Sequence, residues 1–543
     1  MVKLGEFLFE EGLIAREQLD EALEAQKHDR RKLGELLVER GWIEDQKLTE
    51  VLARLFQIPF VRLSEFKINE KTLSLIPQEF LQTHKIIPLA VQDNCLTVAT
   101  SNPLDVASLQ EIQYKCGYLV NPVMAGRLDI ERHLQQFSSS LRTIDAIRAL
   151  EKKDMEGAHV GQLVETILRQ AIGERASDIH FEPLVDKMRV RFRIDGMLYE
   201  KSPIPKGLAR NVISRIKIIA GMDVADSRRP QDGRTSFKVG HDEYDIRISS
   251  IPDMLGENLV LRILNKQFVS RSFESLGMEP EQISAMKKIM ERPYGLMLVT
   301  GPTGAGKTTT LYSVLNLLNS VSKNIISVED PVEYQLSGIT QTAVSAYTGY
   351  TFATAIRYIL RHDPDIIMVG EIRDVETAEM AIRAALTGHL VFSTMHTNSA
   401  AGAITRLLEM NIEPFLISSA VQGVIAQRLV RRLCPNCRRE YRPTEDVMES
   451  LKSHVTNPEK FTLASAQGCE MCLQTGYQGR VGVFEMLEVD ERIRAMMLKS
   501  SGEKEIAQAA VEKGMKNLRT AGLLKAVHKL TTLEEALRIA FVE

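Results

Sequence analysis

The stretch GPTGAGKT, Gly301 to Thr308, constrains this chain more than any other because it fits the pattern G-x-x-x-x-G-K-[ST]. It follows the apolar segment GLMLVT and precedes a segment with helical character, so it has the position of a phosphate loop between a strand and a helix. The glycines let backbone N–H groups turn toward phosphate oxygens at the positive end of that helix. The alternative is a glycine-rich turn that binds nothing. The motif predicts nucleotide binding by Gly301, Pro302, Thr303, Gly304, Ala305, Gly306, Lys307, Thr308 and Thr309.

Two later strands end in carboxylates, which are the next candidates for chemistry. IISVEDPVEY contains Glu329, and DIIMVGEIRD contains Glu371 directly after Gly370, where most phosphate-loop enzymes carry a magnesium-binding aspartate. The C-terminal ends of parallel strands share one edge of a sheet, and a phosphate loop sits at that edge. We therefore expect Glu329 and Glu371 to meet near the γ-phosphate, although each taken alone is an ordinary surface acid. Lys307 should neutralise the β- and γ-phosphates, and the Thr308 hydroxyl should ligate Mg²⁺.

Four of the six cysteines form two C-x₂-C pairs with 31 residues between them: Cys434, Cys437, Cys469 and Cys472. Two matched pairs at this spacing predict a structural four-thiolate Zn²⁺ site, because each pair occupies one edge of a tetrahedron. A redox pair is the alternative. The remaining two, Cys95 and Cys116, are expected to be buried small apolar side chains.

Length and charge limit the classes of protein to consider. A chain of 543 residues is too long for one core and suggests roughly three or four domains. The formal net charge of −3 offers a polyanion no general attraction, which argues against a nucleic-acid partner. No segment approaches the length of a membrane span, and the first residues lack the layout of a signal peptide. We expect a cytoplasmic protein whose contact with a membrane is peripheral.

The hydrophobic pattern divides the chain. KLGEFLFEEGLI at Lys3 recurs as KLGELLVERGWI at Lys32, a shift of 29 residues, and each copy predicts a short helix, a glycine stop and a second helix. Later segments alternate with period 2 around Asp195-Gly196, which predicts an antiparallel hairpin, and then helices alternate with short apolar strands, which predicts a parallel-rich sheet. The predicted divisions are an N-terminal domain at 1–137 with the repeat at 3–55, a linker at 138–159, an α+β domain at 160–270, and a helix-covered sheet domain at 271–543 that includes a zinc module at 434–472 and a helical tail at 490–543.

From Gly161 onward the chain resembles the type II secretion and type IV pilus assembly ATPases, the general secretory pathway protein E family. The resemblance rests on four elements in order: the phosphate loop, VEDPVEY, VGEIRD and TGHLVFSTMHTN. This family normally has glycine at the position of Gly370. The resemblance implies an α/β fold, with a RecA-like P-loop ATPase domain and parallel-rich sheet. It also implies an α+β PAS-like domain before it, an N-terminal helical/α+β domain and a small zinc module.

The resemblance also implies roles for individual residues. Glu371 would organise Mg²⁺ through water, and Glu329 would activate the attacking water, although the sequence leaves open which of the two is the base. His396, with Thr394, resembles the family's γ-phosphate sensor; a lone histidine on such a strand is more often satisfied locally. The family forms hexamers, in which Arg247 and Arg262 would act as arginine fingers between domains or subunits. Solvated or salt-bridged side chains are the alternative for both arginines.

The N-terminal repeat resembles a tandem motif with which some relatives bind cyclic di-GMP. Agreement is incomplete, since Lys3 and Lys32 replace the leading arginines and Leu55 replaces the glutamine that closes the second copy, although Gln26 is kept in the first. Lysine cannot reproduce a planar, bidentate guanidinium. The alternative is a duplicated helical packing unit that docks onto a partner.

The interpretation drawn from the sequence is a hexameric cytoplasmic ATPase, peripheral on the inner membrane, that powers pseudopilus assembly and protein export in type II secretion. Its partners would be the inner-membrane platform and cytoplasmic-arm proteins of the machine, and its cofactors ATP, Mg²⁺ and Zn²⁺. Type IV pilus extension is the nearest alternative. A RecA-like nucleic-acid motor would require a basic channel, and a cyclic di-GMP sensor would require ligand binding by the repeat. A retraction motor fits less well, because that branch lacks the cysteine module and the long N-terminal region.

Overall fold

The computed structural model forms two compact units, Met1–Val239 with Ile246–Ile263 and Gly240–Asp245 with Leu264–Glu543. It describes residues 4–28, 33–63, 70–73, 75–103, 105–131, 133–134, 143, 147, 157–240, 242–265, 272–445, 447–448 and 461–540. Lys3 and Lys32, most of the predicted linker at 138–159 and the predicted boundary after residue 270 lie outside these ranges.

The repeat folds as two pairs of helices. The equivalent glycines Gly5 and Gly34 have the same packing role in the two pairs. Its helices are α1 (Leu4–Glu10), α2 (Arg16–His28), α3 (Leu33–Glu39) and α4 (Asp45–Phe56). A β-carbon on Gly5 would lie 2.5 Å from Leu19 Cδ1, and one on Gly34 would lie 2.8 Å from Leu48 Cδ2. Only glycine lets the first helix of each pair approach the leucine of the second so closely. The repeat therefore duplicates one helix-packing contact.

A small sheet follows the repeat. Its elements are α5 (Glu70–Leu73), α6 (Gln78–His84), β1 (Ile86–Gln92), β2 (Cys95–Thr100), α7 (Val106–Cys116) and β3 (Leu119–Met124). Strand β2 lies in the centre, antiparallel to β1 and parallel to β3. Cys95 and Cys116 are only half-buried, so the expectation that both are core residues is wrong. Both lie at the ends of their elements, where the side chain reaches the edge of the core.

The next domain is a seven-stranded sheet with two helices. Its elements are α8 (Gly157–Gly173), β4 (Ala176–Pro183), β5 (Lys187–Ile194), β6 (Met197–Glu200), β7 (Ile204–Pro205), α9 (Lys206–Ile219), β8 (Gln231–Val239), β9 (Asp242–Asp253) and β10 (Gly256–Asn265). The strand order is β6-β5-β4-β10-β9-β8, with β7 beside β5. The hairpin predicted at Asp195-Gly196 joins the antiparallel strands β5 and β6. Both turn residues have positive φ, 49° and 90°, as a two-residue hairpin turn requires.

The second unit contains the parallel-rich sheet. Its elements up to the cysteine pairs are α10 (Phe273–Leu276), α11 (Pro280–Met290), β11 (Gly295–Thr300), α12 (Lys307–Leu318), β12 (Ile325–Glu329), β13 (Thr340–Ala343), α13 (Phe352–Ile359), β14 (Ile366–Val369), α14 (Val375–Leu386), β15 (Leu390–Met395), α15 (Ala400–Glu409), α16 (Pro414–Ala420) and β16 (Val421–Leu433). With the later strand β19 (Tyr477–Glu488), the order is β13-β12-β14-β15-β11-β16-β19, and every pair is parallel except β16 with β19. Strands β11, β12, β14 and β15 are buried along their whole length, as expected where helices cover both faces. The predicted α/β class is confirmed.

The C-terminal part returns to the sheet and then becomes helical. Its elements are β17 (Arg439–Tyr441), β18 (Leu463–Ser465), β19 (Tyr477–Glu488), α17 (Glu491–Leu498), α18 (Glu503–Glu512), α19 (Leu518–Val527) and α20 (Leu533–Ala540). The cysteine module thus lies between two antiparallel neighbours, β16 and β19, which meet at Leu433 and Tyr477. Among the helices of the described ranges, none is both long and apolar enough to cross a bilayer.

Candidate nucleotide site

The phosphate loop connects β11 to α12 in a conformation that requires its glycines. Gly301, Gly304 and Gly306 have φ values of 147°, 79° and 86°. A β-carbon on Gly301 would also lie 2.5 Å from the carbonyl oxygen of Gln427. Backbone strain favours glycine at all three positions, and the closeness of β16 favours it further at Gly301 and Gly306. The loop is therefore an open backbone cradle at the N-terminus of α12, the geometry that binds phosphate.

Lys307 begins α12 and bends back over the loop. Its Nζ donates to the carbonyl oxygens of Gly301 and Pro302 at 2.7 and 3.1 Å, and the residue is only 9% exposed. Burial lowers the pKa of Lys307, the negative charge of Glu371 opposes this, and the positive charge of Arg428 adds to it. The ammonium group thus lies inside the cradle with Glu371 close enough to influence its charge. Phosphate oxygens would replace two backbone carbonyls as its acceptors.

Glu371 and His396, two of the predicted site residues, lie next to each other. The Nε2 atom of His396 lies 3.3 Å from Glu371 Oε2, and an Arg373 guanidinium nitrogen lies 2.5 Å from Glu371 Oε1. The hydrogen bond to Glu371, more than its charge, raises the pKa of Arg373. Arg373 and His396 are 62% and 48% exposed, whereas Glu371 is 13% exposed. The exposed side chains of Arg373 and His396 therefore flank a nearly buried carboxylate, and a metal-bound nucleotide could displace either of them.

Glu329 is held more tightly. It ends β12, which pairs with β14, and it is 3% exposed. Ser327 Oγ and Gln341 Nε2 donate to its Oε1 at 2.7 and 3.1 Å, and the Tyr312 hydroxyl donates to its Oε2. The two predicted carboxylates thus lie at the ends of neighbouring strands in different settings: neutral donors fix Glu329, whereas Glu371 lies between the Arg373 guanidinium and the His396 imidazole.

Thr300 and Thr397 join the phosphate-loop strand to the segment that carries His396. Thr300 Oγ1 lies 2.6 Å from Thr397 Oγ1, and it accepts from the Thr397 N–H at 2.8 Å. Thr394 Oγ1 donates to the carbonyl oxygen of Gly370 at 2.7 Å, which ties β15 to the start of the Glu371 segment. Thr308, the expected Mg²⁺ ligand, is half-buried in the first turn of α12.

Sequence reasoning missed Arg428 and Gln427. Arg428 is 8% exposed and donates to the backbone and side-chain oxygens of Asn398 at 3.1 and 3.2 Å. Gln427 Oε1 accepts from Thr310 on α12 at 2.8 Å. The available signal was a Gln-Arg pair inside a largely apolar strand, VQGVIAQRLV, but the closeness of this pair to the phosphate loop depends on β16 pairing with β11. Arg428 is a second buried cation beside the cradle.

Arg247 and Arg262 lie on β9 and β10 of the first unit, whereas the phosphate loop belongs to the second. Arg262 is 61% exposed, and its Nε lies 3.0 Å from Asp178 Oδ1. Asp178 also faces Arg193 at 3.8 Å. Arg247 is half-buried. The predicted finger Arg262 is therefore an accessible guanidinium that pairs with the carboxylate of Asp178.

The four predicted zinc ligands come together. Their sulfur atoms all lie within 4.8 Å of one another, with separations of 3.7 Å for Cys434–Cys469, 3.8 Å for Cys437–Cys472 and 3.7 Å for Cys469–Cys472. A tetrahedron with Zn–S bonds of about 2.3 Å has edges of about 3.8 Å, whereas a disulfide bond measures about 2.05 Å. The backbone N–H of Gly476 donates to Cys472 Sγ at 3.2 Å, as expected for a thiolate acceptor. The residues present fit a four-coordinate Zn²⁺ and leave no open position for chemistry.

The cradle, its lysine and the carboxylates at neighbouring strand ends define an ATP-hydrolysing P-loop enzyme. Residues 153–538 match the family described as Type II/IV secretion system protein, and residues 56–144 match the MshEN domain. The type IV pilus assembly ATPase PilB of Myxococcus xanthus is 40% identical over 98% of both chains. The type II secretion system protein E of Pseudomonas aeruginosa is 48% identical over 72% of this chain and 77% of its own. The chain belongs to the type II/IV secretion system protein family, which includes both kinds of ATPase.

Solved structures support the fold. The X-ray structure of the Legionella pneumophila ATPase DotB aligns with a TM-score of 0.53 at 21% identity, covering 70% of this chain and 95% of that one. The Yersinia pseudotuberculosis ATPase DotB aligns equally well, with a TM-score of 0.53 over 70% of this chain and 94% of its own. At this identity the likeness supports the fold alone.

Proposed function

We propose that the chain is a cytoplasmic hexameric motor, attached to the inner membrane through partners, that uses ATP hydrolysis to assemble a pilin-like fibre. The observation that carries the catalytic part is Lys307 inside the phosphate cradle, with Glu371 near enough to influence its pKa. Platform and cytoplasmic-arm proteins of the machine would be its partners. The slightly acidic charge balance disfavours the alternative of a nucleic-acid motor.

Two settings compete for this motor, and each has one observation in its favour. Identity of 48% to a type II secretion protein E over 72% of this chain favours pseudopilus assembly and protein export. Alignment over 98% of both chains with a pilus assembly ATPase favours pilus extension. Deletion of the gene in its own host distinguishes them. Loss of extracellular proteins with normal surface pili supports the first setting, and loss of sheared pili with normal secretion supports the second.

In the proposed reaction the loop and Lys307 bind the phosphates and hold the γ-phosphorus in line with a water molecule. Thr308 and Glu371 would hold Mg²⁺, which neutralises the developing charge; a hydroxyl and a carboxylate suit this hard cation. A carboxylate takes one proton from the water as its oxygen bonds to the γ-phosphorus, and the bond to the ADP oxygen breaks. Glu329 is the proposed base, and Glu371 is the alternative. His396, beside Glu371, would sense the γ-phosphate.

Arg247 and Arg262 are proposed as fingers that stabilise charge on the γ-phosphate of a neighbouring subunit. The exposure of Arg262 supports this role, because among the described residues its guanidinium has to leave Asp178 to reach another chain. Zn²⁺ at the four cysteines is proposed to be structural.

The N-terminal repeat is proposed as a docking unit, since its matched glycines serve internal packing. Cyclic di-GMP is the alternative ligand, and a ligand-induced rise in melting temperature would support it.

The test of the catalytic site measures steady-state ATP hydrolysis and ATP affinity for three variants: Lys307→Ala, Glu371→Gln and Glu329→Gln. Lys307→Ala should lower kcat/KM by about 100-fold or more, because the variant lacks the preorganised cation that stabilises negative charge on the phosphates. The base is identified by the carboxylate variant whose kcat falls further while its affinity for ATP is unchanged. Lys323→Ala, at an exposed position, is the control. Normal hydrolysis by Lys307→Ala would remove the basis of the proposal.

A further inference from the structure

The hydroxyl of Tyr312 joins the phosphate-loop helix to the acidic segment after β12. Tyr312 lies on α12, five residues beyond Lys307, and it is 2% exposed. Its hydroxyl donates to Glu329 Oε2 and accepts from the backbone N–H of Glu333 at 3.2 Å. One oxygen atom therefore touches both ends of the segment that begins with the proposed base.

The hydrogen bonds on Glu329 assign each carboxylate oxygen to different donors. Ser327 and Gln341 both donate to Oε1, and within the described part of the chain Tyr312 is the one donor to Oε2. A carboxylate oxygen buried at 3% exposure has no water to replace a lost donor. Removing the tyrosine hydroxyl would leave Oε2 free to turn while the other oxygen stayed bound.

Tyr312 is also suited to remain a donor. Burial, and then the charge of Glu329, raise the pKa of Tyr312 far above its ordinary value, so the phenol stays protonated. A phenol has one proton to donate, and the Glu333 N–H occupies its acceptor side, so the proton is directed at Glu329. The ring is fixed as well, since Tyr334 packs edge-on against it with centroids 6.0 Å apart.

We propose that Tyr312 is a positioning residue for ATP hydrolysis: it sets the orientation of the Glu329 carboxylate from the same helix whose first residue binds the phosphates. Because Lys307 and Tyr312 share α12, a shift of that helix on nucleotide binding moves the donor of Glu329 with it. This inference rests on the proposed role of Glu329.

The experiment replaces Tyr312 by phenylalanine, which keeps the ring and removes the hydroxyl. A positioning role predicts that kcat falls about tenfold, a fraction of what a general base contributes, while KM for ATP and the affinity for a fluorescent ATP analogue stay within about twofold. Tyr358→Phe, at a residue that is 54% exposed on α13, is the matched control and should hydrolyse ATP like the wild type.

A double-mutant cycle separates positioning from simple packing. If Tyr312 acts through Glu329, the double variant Tyr312→Phe with Glu329→Gln should be no slower than Glu329→Gln alone. Additive losses, an unchanged kcat in Tyr312→Phe, or a loss of ATP affinity or folding in that variant would each overturn the inference. Normal turnover by Glu329→Gln would instead reject the proposed role of Glu329, which is a different result from normal turnover by Tyr312→Phe alone.

Discussion

Gly370 donates its N–H to the carbonyl oxygen of Val328 at 2.8 Å, and a β-carbon on Gly370 would lie only 3.2 Å from that same oxygen. It would also lie 3.3 Å from the α-carbon of Glu329. Both neighbours are backbone atoms of a buried, closely packed strand, which can shift little to make room for a β-carbon. The close approach of β12 and β14 therefore explains why the strand ends in glycine and its carboxylate comes one residue later, at Glu371.

Gly370→Ala should therefore lower the free energy of unfolding by about 1–3 kcal/mol, the usual cost of overfilling a packed site. Gly370→Asp should be worse, and the aspartate should not raise ATP turnover. Thermal denaturation and steady-state hydrolysis measure the two effects. Gly207→Ala is the control, because a β-carbon there meets nothing within 4 Å. Equal melting temperatures for Gly370→Ala and the wild type would contradict the packing argument.

The proposed finger Arg262 can be tested by mixing variants in one oligomer. Arg262→Ala should lose turnover while binding ATP normally, because its own phosphate loop is intact. A Lys307→Ala chain lacks a working loop but still offers Arg262 to a neighbour. Co-assembly of the two variants should restore part of the activity that neither has alone.

The control for this mixture is Arg262→Ala co-assembled with the double variant Lys307→Ala, Arg262→Ala, which offers no finger and should stay inactive. Arg383→Ala, at an exposed arginine on α14, should leave turnover unchanged. If the first mixture were no more active than its components, Arg262 would not act between subunits.

The cysteine module should contain about one zinc per chain. Cys434→Ser should abolish the metal and lower the melting temperature by about 5 °C or more. The C-terminal helices α19 and α20 should lose stability first, because Leu463 of the module packs in one cluster with their residues Leu523, Ala526 and Ala536. Elemental analysis and calorimetry provide the measurements. Cys95→Ser is the matched control and should retain the zinc; a metal-free wild type with the same melting temperature would contradict a structural role.

Lys525 and Glu279 form an ion pair in which Lys525 is 4% exposed and Glu279 is 21% exposed. Burial acts to raise the pKa of Glu279, but the hydrogen bond and charge of Lys525, with His528 and Lys516, outweigh it and leave the pKa lowered. A lowered carboxyl pKa adds stability above the unfolded value of about 4.5, and this stability is lost as pH falls through the folded value. Lys525→Met should cost about 3 kcal/mol at pH 7, because it leaves a largely buried carboxylate without its counter-ion.

The difference in melting temperature between Lys525→Met and the wild type should then begin to shrink as pH falls below about 4.5, and it should be smallest once pH has passed through the lowered pKa of Glu279 in the folded wild type. Arg383→Met removes an exposed ion pair with Glu379 and should change the melting temperature little at any pH. A difference that stayed constant down to pH 3 would mean that Lys525 contributes packing and no charge interaction.

Local signals in the sequence predicted much of this fold. The phosphate loop, the Asp195-Gly196 hairpin and the four cysteines each depend on a short motif whose geometry follows from residue type. The alternation of helices and apolar strands predicted the parallel-rich sheet. Cys95 and Cys116 were placed too deep, because apolar character does not reveal whether a residue lies at the end of its element.

Residues brought together by strand order could not be predicted. Arg428 lies beside the phosphate loop because β16 pairs with β11, and its sequence position gives no hint of that pairing. Tyr312 fits the apolar pattern of α12, so its hydroxyl looked incidental until its partner, Glu329, was known. The settings of Glu329 and Glu371 differ for the same reason, since each depends on side chains from distant segments.

The position of the cysteine module between Leu433 and Tyr477 has a practical consequence. These two residues are cross-strand partners, so the chain leaves the sheet and re-enters it at neighbouring points. The described part of the cysteine module therefore lies outside the sheet, at the end of the β16–β19 hairpin. A fluorophore or affinity label attached to an exposed side chain of this module should report on the motor in its assembly without altering the catalytic edge.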